Sequence, residues 1–320
     1  MRELLFLSFL MMSFPAIAGD FDFDRWNELV DKIKDRAVGE GVSPAVANEC
    51  LNGAGFIPRI VKSDRNQAEF KLSLGDYLDR SVSQRRISEG RAMKTQHATL
   101  LARTEKNHGV PKHVILAFWG MESSYGADKA RHVLCDSFMT LIYEGRREKF
   151  FTEQMIALMK IADKNELQPR AIRGSWAGAM GHFQFIPTTL QQYGRSGSDN
   201  GKIDIINNLD DAFASAGNFL QSLGWNKTER IARMVALPQY FNKELCESKE
   251  KRRLPEWAAM GILNIDYTPL PDSDMLAGLI CDLESDKAYL AYPNFYRIKK
   301  WNNSNWYAIA IHELSEELKK

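Results

Sequence analysis

An α+β fold, predominantly helical, is predicted by three features of this chain. Apolar residues recur at helical spacing from Trp26 through Leu29, Val30, Ile33 and Ala37. An unbroken apolar run, Val114 to Met121, lies between Pro111 and Gly126 and reads as a helix buried on every side. From about Ile231 to Ile298 the texture changes. Short β-prone pieces, Ile262 to Tyr267 and Ala288 to Ala291, are punctuated by Pro255, Pro269, Pro271 and Pro293, which predicts a small, irregular sheet.

In chain order, the first residues have the form of a signal peptide. Met1-Arg2 is a short basic start, Leu4 to Phe14 is apolar, and Ala16-Ile17-Ala18 resembles a cleavage site. The apolar run is too short for a comfortable membrane span, and no later segment is long and apolar enough for one. Without a cysteine near the cleavage point, a lipid anchor is not expected, and an exported, periplasmic protein is. Helical spacing then runs from Asp24 until Gly39 and Gly41 stop it, and Ser43-Pro44 opens a second short helix. Asp64 to Arg86 has no strand period. Ile87 to about Asn107 reads as one long helix leading to Gly109-Val110-Pro111. Leu209 to Gly224 is helical, and a terminal helix begins near Trp306.

A formal net charge of +1 in 320 residues gives no global attraction to nucleic acid or anionic membrane. Cys50, Cys135, Cys246 and Cys281 form an even set in a chain bound for an oxidising compartment. One or two disulfides are expected. Sequence leaves the pairing open, although Cys246 and Cys281 share a region. There is no CxxC or His/Cys cluster to hold zinc, no HExxH, and no GxSxG elbow for a serine hydrolase.

Glu122 is the main candidate for chemistry. It ends the apolar run and is followed by Ser123-Ser124-Tyr125-Gly126, which places it in the last turn of its helix. Desolvation and the negative end of the helix dipole both disfavour its ionised form. A carboxyl group kept protonated near neutral pH suits a general acid. A structural ion pair with an arginine is the competing reading. The second stretch runs from Gly174 to Pro187. Its small residues (Gly174, Ala177, Gly178, Gly181) allow tight turns and close approach of a ligand. Ser175 and Gln184 supply hydrogen bonds, and Trp176, Phe183 and Phe185 supply flat apolar surface. That mixture suits a sugar, while close helix packing would also use small residues. Arg146 and Arg147 could bind a carboxylate or form a solvated face. Ser196 to Asn207 has a glycine at the sixth position of a calcium loop, but serine and asparagine stand where a strong site needs Asp and Glu. A metal-free turn is expected there, and no cofactor.

Several of these residues together resemble one family. Trp119-Gly120-Met121-Glu122-Ser123-Ser124-Tyr125-Gly126 resembles the catalytic motif of the lytic murein transglycosylase B family, glycoside hydrolase family 103. Gly174 to Phe185 resembles its G-S-[FWY]-A-G-A-M-G-x-x-Q-F motif. Tyr292-Pro293-Asn294-Phe295, Asn302 and Tyr307-Ala308 resemble its C-terminal signature, and Asp64 to Phe70 with Gly90-Arg91 match upstream. The resemblance implies a lysozyme-like core at 109–228, between an N-terminal helical domain at 19–108 and a small β-domain at 229–300. Residues 1–18 would be the signal peptide, and 301–320 a helix packing back on the body. It also implies non-hydrolytic cleavage of the β-1,4 bond between N-acetylmuramic acid and N-acetylglucosamine, by a monomer acting on peptidoglycan glycan strands. By position, Glu122 would be the acid/base, and Ser175, Gln184, Arg146, Arg147, Asn218, Asn302 and Tyr307 would line the cleft. The chain departs from the pattern in two places: His182-Phe183 precede Gln184 where the family has Tyr-Gly, and the calcium loop is poor in carboxylates. A hydrolytic muramidase and a non-catalytic peptidoglycan-binding protein are the competing readings.

Overall fold

A computed structural model describes residues 21–66, 72–128, 130–198, 201–246, 249–282 and 284–320. The signal-peptide reading of residues 1–18, the match at Gln67 to Phe70, and Asp199 and Asn200 of the calcium-like loop lie outside the described residues.

The N-terminal segment forms α1 (Phe23–Gly39), α2 (Pro44–Leu51), α3 (Pro58–Arg65), α4 (Leu74–Ser81), α5 (Gln84–Gln96) and α6 (Ala98–His108). Asp22 caps α1 and Ser43 caps α2, each accepting a backbone N–H of the first turn. The single helix expected from Ile87 to Asn107 is broken at His97, which serves as C-cap of α5 and N-cap of α6. The middle contains α7 (Lys112–Ser123), the short strand β1 (His132–Val133), α8 (Leu134–Glu144), α9 (Glu148–Asn165), strand β2 (Arg173–Gly174), α10 (Pro187–Tyr193) and α11 (Leu209–Ser222). Strands β1 and β2 pair antiparallel, with His132 opposite Gly174.

The region after Ile231 is a five-stranded antiparallel sheet in the order β4-β6-β7-β3-β5. Its strands are β3 (Ala232–Ala236), β4 (Lys251–Arg253), β5 (Leu263–Asn264), β6 (Leu276–Asp282) and β7 (Lys287–Ala291), with α12 (Leu254–Ala259) between β4 and β5. Only β5 and β7 coincide with the β-prone pieces seen in sequence. The longest strand, β6, carries Gly278, whose lack of a side chain weakens a strand pattern. Here it leaves room for the Tyr296 ring beside the strand. The chain closes with α13 (Pro293–Trp301) and α14 (Asn305–Lys319), and α14 returns to pack on α7.

One hydrophobic core takes residues from Trp26 to Leu318, so the first six helices share it with α7 to α11 and α14. A second, smaller core built around Trp257, Leu279 and Tyr292 belongs to the sheet. Both disulfides form. Cys50–Cys135 ties α2 to α8, and Cys246–Cys281 ties the loop after β3 to β6. Among the described residues no helix is long and apolar enough to cross a membrane.

Candidate active site

Helix α7 sits at the centre of the helical body, against α14, α5, α6 and α11. Every residue from Val114 to Gly120 is buried, as its sequence requires. The helix stops because Ser124 and Tyr125 both turn left-handed, with φ of 49° and 59°. The Tyr125 ring folds back across Gly120 and Gly90, where any side chain would collide with it, and its hydroxyl donates to the Arg86 carbonyl at 2.9 Å. Glu122 is thereby held in the final turn, at the edge of the core.

That carboxyl group has two unlike oxygens. Oε1 accepts the indole N–H of Trp301 at 3.0 Å and, over a shorter distance, the hydroxyl of Tyr307. Oε2 has no hydrogen-bond partner among the described residues. The residue is partly accessible at its edge, yet protein surrounds the carboxyl group densely. Burial pushes its pKa from 4.5 up to about 7, against the two donors, which pull it down. Among the described residues no arginine is bonded to Glu122, which takes its hydrogen bonds from Trp301 and Tyr307 rather than from an ion pair. Tyr307 itself is pushed well above the usual phenol range, by burial and then by the adjacent carboxylate, so it stays a donor.

Trp301 was not legible as a site residue in the sequence. It ends α13, and its ring packs on Phe118 (4.8 Å between centroids), Phe219 (5.0 Å) and Phe185 (5.3 Å). An apolar residue at the end of a helix reads as core. The hint was its polar N–H directly before Asn302 in the C-terminal signature.

The glycine-rich stretch docks on the end of α7. Ser123 Oγ donates to the His182 carbonyl at 2.7 Å, and the Trp119 indole N–H donates to His182 Nδ1 at 3.1 Å. Trp119 can only donate there, so His182 accepts through an unprotonated ring nitrogen, in line with the burial that lowers its pKa. Gln184 lies between Phe183 and Phe185, both of which pack on Trp301. Its backbone is left-handed (φ 48°), and its amide donates to the Gly181 carbonyl at 2.9 Å. Ser175 Oγ closes its own loop by accepting the Ala179 N–H at 3.0 Å.

A family model described as the transglycosylase SLT domain matches residues 23–316. The chain belongs to this family of lytic murein transglycosylases. Over 247 residues it is 28% identical to the membrane-bound lytic murein transglycosylase B of Escherichia coli (strain K12), a match that covers 75% of this chain and 66% of that relative. The chain thus spans just under two thirds of the curated relative's length. Among solved structures it is similar to SltB3 from Pseudomonas aeruginosa in complex with NAG-NAM-pentapeptide, at 34% identity, a TM-score of 0.88, and coverage of 92% and 79% of the two chains. It also shares the fold of the Escherichia coli lytic transglycosylase Slt35 in complex with calcium, at 24% identity, a TM-score of 0.78 and 92% coverage of both chains.

Within this lytic transglycosylase frame, the remaining expected site residues fall at different depths. Asn302 follows Trp301 directly and is exposed. Asn218, on α11, donates to the Tyr193 carbonyl at 2.7 Å, and the Tyr193 ring stacks on Phe219, one layer behind Trp301. Arg146 and Arg147 are not brought to Glu122. Both bind the buried Asp64, Arg146 through Nε at 2.8 Å and Nη2 at 2.6 Å. A cavity of about 760 Å³ lies beside them, between α1 and the start of α9, and Glu122 is not among its lining residues.

The calcium-like loop is a poor cage in its described part. Asp211 accepts the N–H groups of Gly197 and Asp204 with its two oxygens, at 2.7 and 2.9 Å. Asn207, at the position of the bidentate glutamate, donates its amide to Asp204. With Ser196 and Asn207 at the positions that want Asp and Glu, the donor set does not fit a tightly held calcium ion, and no step of the chemistry is drawn through one.

Proposed function

We propose that this chain is a peptidoglycan lytic transglycosylase that cuts the β-1,4 bond between N-acetylmuramic acid and N-acetylglucosamine and leaves 1,6-anhydromuramic ends. One observation carries the reading: a single glutamate whose pKa is lifted to about 7, with one oxygen fixed by Trp301 and Tyr307 and the other unengaged. The relatives' family and the peptidoglycan ligand of the similar SltB3 structure support it.

Glycosidases that hydrolyse with two carboxylates need a second one across the bond. No carboxylate figures among the causes of the Glu122 shift. A single group suffices when the substrate supplies the rest. Oε2 of protonated Glu122 gives its proton to the leaving glycosidic oxygen as the bond to C1 breaks. The muramic 2-acetamido carbonyl oxygen supports the charge at C1. The Glu122 carboxylate then removes the proton of the muramic 6-hydroxyl, and O6 bonds to C1. Glu122 ends protonated as it began, and no water is consumed. Gln184, Asn302, Ser175 and Asn218 provide the polar edge of the glycan cleft and its support. The Asp64 pairing gives Arg146 and Arg147 a share in fixing the corner before α9. The apolar leader, read as a signal peptide, and the two disulfides support export to the periplasm.

General acid–base catalysis contributes about a hundredfold to ten-thousandfold. Glu122→Gln is therefore expected to release fragments from purified sacculi at least a hundredfold more slowly than wild type. Mass spectrometry of the wild-type products is expected to show muramic ends one water lighter than reducing ends. Reducing ends alone would make the enzyme a hydrolytic muramidase. Binding to sacculi with no soluble fragments would make it a non-catalytic murein binder.

A further inference from the structure

The small sheet bears a second feature that shares no residue with the surroundings of Glu122. A cavity of about 390 Å³ opens between the loop after β3 and the turn after β5, lined in part by Gln239, Phe241, Lys243, Tyr267 and Asp286. Large apolar groups stand out of the protein at its edge. Tyr267 is 75% exposed, Ile265 55%, and Tyr240, between two lining residues, 92%. Tyr267 has a left-handed backbone (φ 62°), a conformation that a glycine takes without strain. The turn enforces it. Tyr267 N–H donates to the Asn264 carbonyl at 2.8 Å, and the Asn264 amide holds the far side through Thr268 Oγ1 and the Pro269 carbonyl. A strained position that presents an exposed aromatic ring points to a use for the ring.

The lining polar groups identify what would sit there. The side chains of Gln239, Lys243 and Asp286 make no hydrogen bond or ion pair with other described residues. Lys243 and Lys287 balance Asp282 and Asp286, so the lining has no net charge. An anionic stem peptide or a nucleic acid would need an excess of cations. A neutral sugar needs what is present: flat rings against its C–H faces, and free donors and acceptors for hydroxyl and acetamido groups.

We propose that this face of the sheet is a second saccharide-binding site, which takes N-acetylhexosamine units of a murein strand on Tyr240 and Tyr267. It rests on the reading of murein as the polymer acted on. A second grip on the same polymer raises the effective concentration of the catalytic site along it without altering the cut itself.

The test combines Tyr240→Ala with Tyr267→Gly, the second chosen because glycine suits the left-handed backbone. In a Glu122→Gln background, the pair is expected to weaken co-sedimentation with purified sacculi about tenfold, and equally with glycan strands stripped of stem peptides by an amidase. In the active background, release from sacculi is expected to slow about tenfold while turnover of a short soluble muropeptide is unchanged. Unchanged co-sedimentation overturns the proposal, and so does a loss confined to peptide-bearing sacculi or an equal loss on the soluble substrate. Tyr240→Ala alone, at a fully solvated side chain, repeats the sedimentation should the pair melt at a lower temperature. Absence of anhydro products from wild type would defeat the catalytic reading and leave the sedimentation result to decide this one.

Discussion

Glu122 illustrates how two hydrogen bonds can tune a buried acid without fixing its charge. Burial alone would drive the carboxyl group further up, and Trp301 and Tyr307 moderate the rise to about 7. Both donors favour the carboxylate form. Removing either is expected to raise the pKa of Glu122 further, and the acid form is the one that starts the proposed reaction. In Tyr307→Phe the alkaline limb of the pH–kcat profile should therefore move to higher pH, although the maximum rate falls. A hydrogen bond to a charged group is worth about 1.5–3 kcal/mol, so the fall should be on the order of ten- to a hundredfold. A limb that moves to lower pH, or an unchanged rate, would show that Tyr307 does not bond the reacting carboxylate. At this scale the sequence revealed the residue types whose chemistry is unusual where they stand. A carboxylate in an apolar run is conspicuous, whereas Trp301 looks like ordinary core until its N–H is seen on Glu122.

At the scale of elements, the end of α7 depends on a fit between a ring and two glycines. A Cβ on Gly120 would lie 2.6 Å from Tyr125 Cζ and Oη. Gly120→Ala is expected to displace the Tyr125 ring and to destabilise the protein by about 1–3 kcal/mol, as overpacking does. Activity should fall further than stability explains, because the turn that aims Glu122 would shift. Thermal denaturation together with kcat on sacculi checks both parts. Helices with strong local signals were readable: Ser43 before Pro44 marks the start of α2, and Gly224 marks the end of α11. The break at His97 was not readable, because no proline or glycine stands there and α6 turns to pack against α11. Strands β3, β4 and β6 were hidden for a related reason. Their pairing is long-range, β3 and β4 are too short to show a period, and β6 is interrupted by Gly278.

At the scale of the molecule, the helices before α7 share a core with those after it, and the sheet has one of its own. The division at residue 108 is accordingly a division of the chain rather than of the hydrophobic core. Cys50–Cys135 crosses that division and closes 85 residues of chain. Losing a disulfide of this kind costs about 2–5 kcal/mol. Cys50→Ser with Cys135→Ser is expected to lower the denaturation midpoint of the whole helical body in one transition. The corresponding pair at Cys246 and Cys281 should act mainly on the sheet. Denaturation followed in the far ultraviolet, with and without reductant, separates the two. Sequence showed an even set of cysteines and left three pairings; the fold removes the choice, since α2 lies against α8.

The donors that tune Glu122 lie 179 and 185 positions beyond it in the chain. A chain that has been made only as far as Lys300 carries the whole catalytic motif and the glycine-rich stretch, yet neither Trp301 nor Tyr307. The Glu122 carboxyl group is therefore completed by a segment made long after its own helix. Until Trp301 and Tyr307 are in place, that carboxyl group lacks both of its donors, and the acid is unfinished.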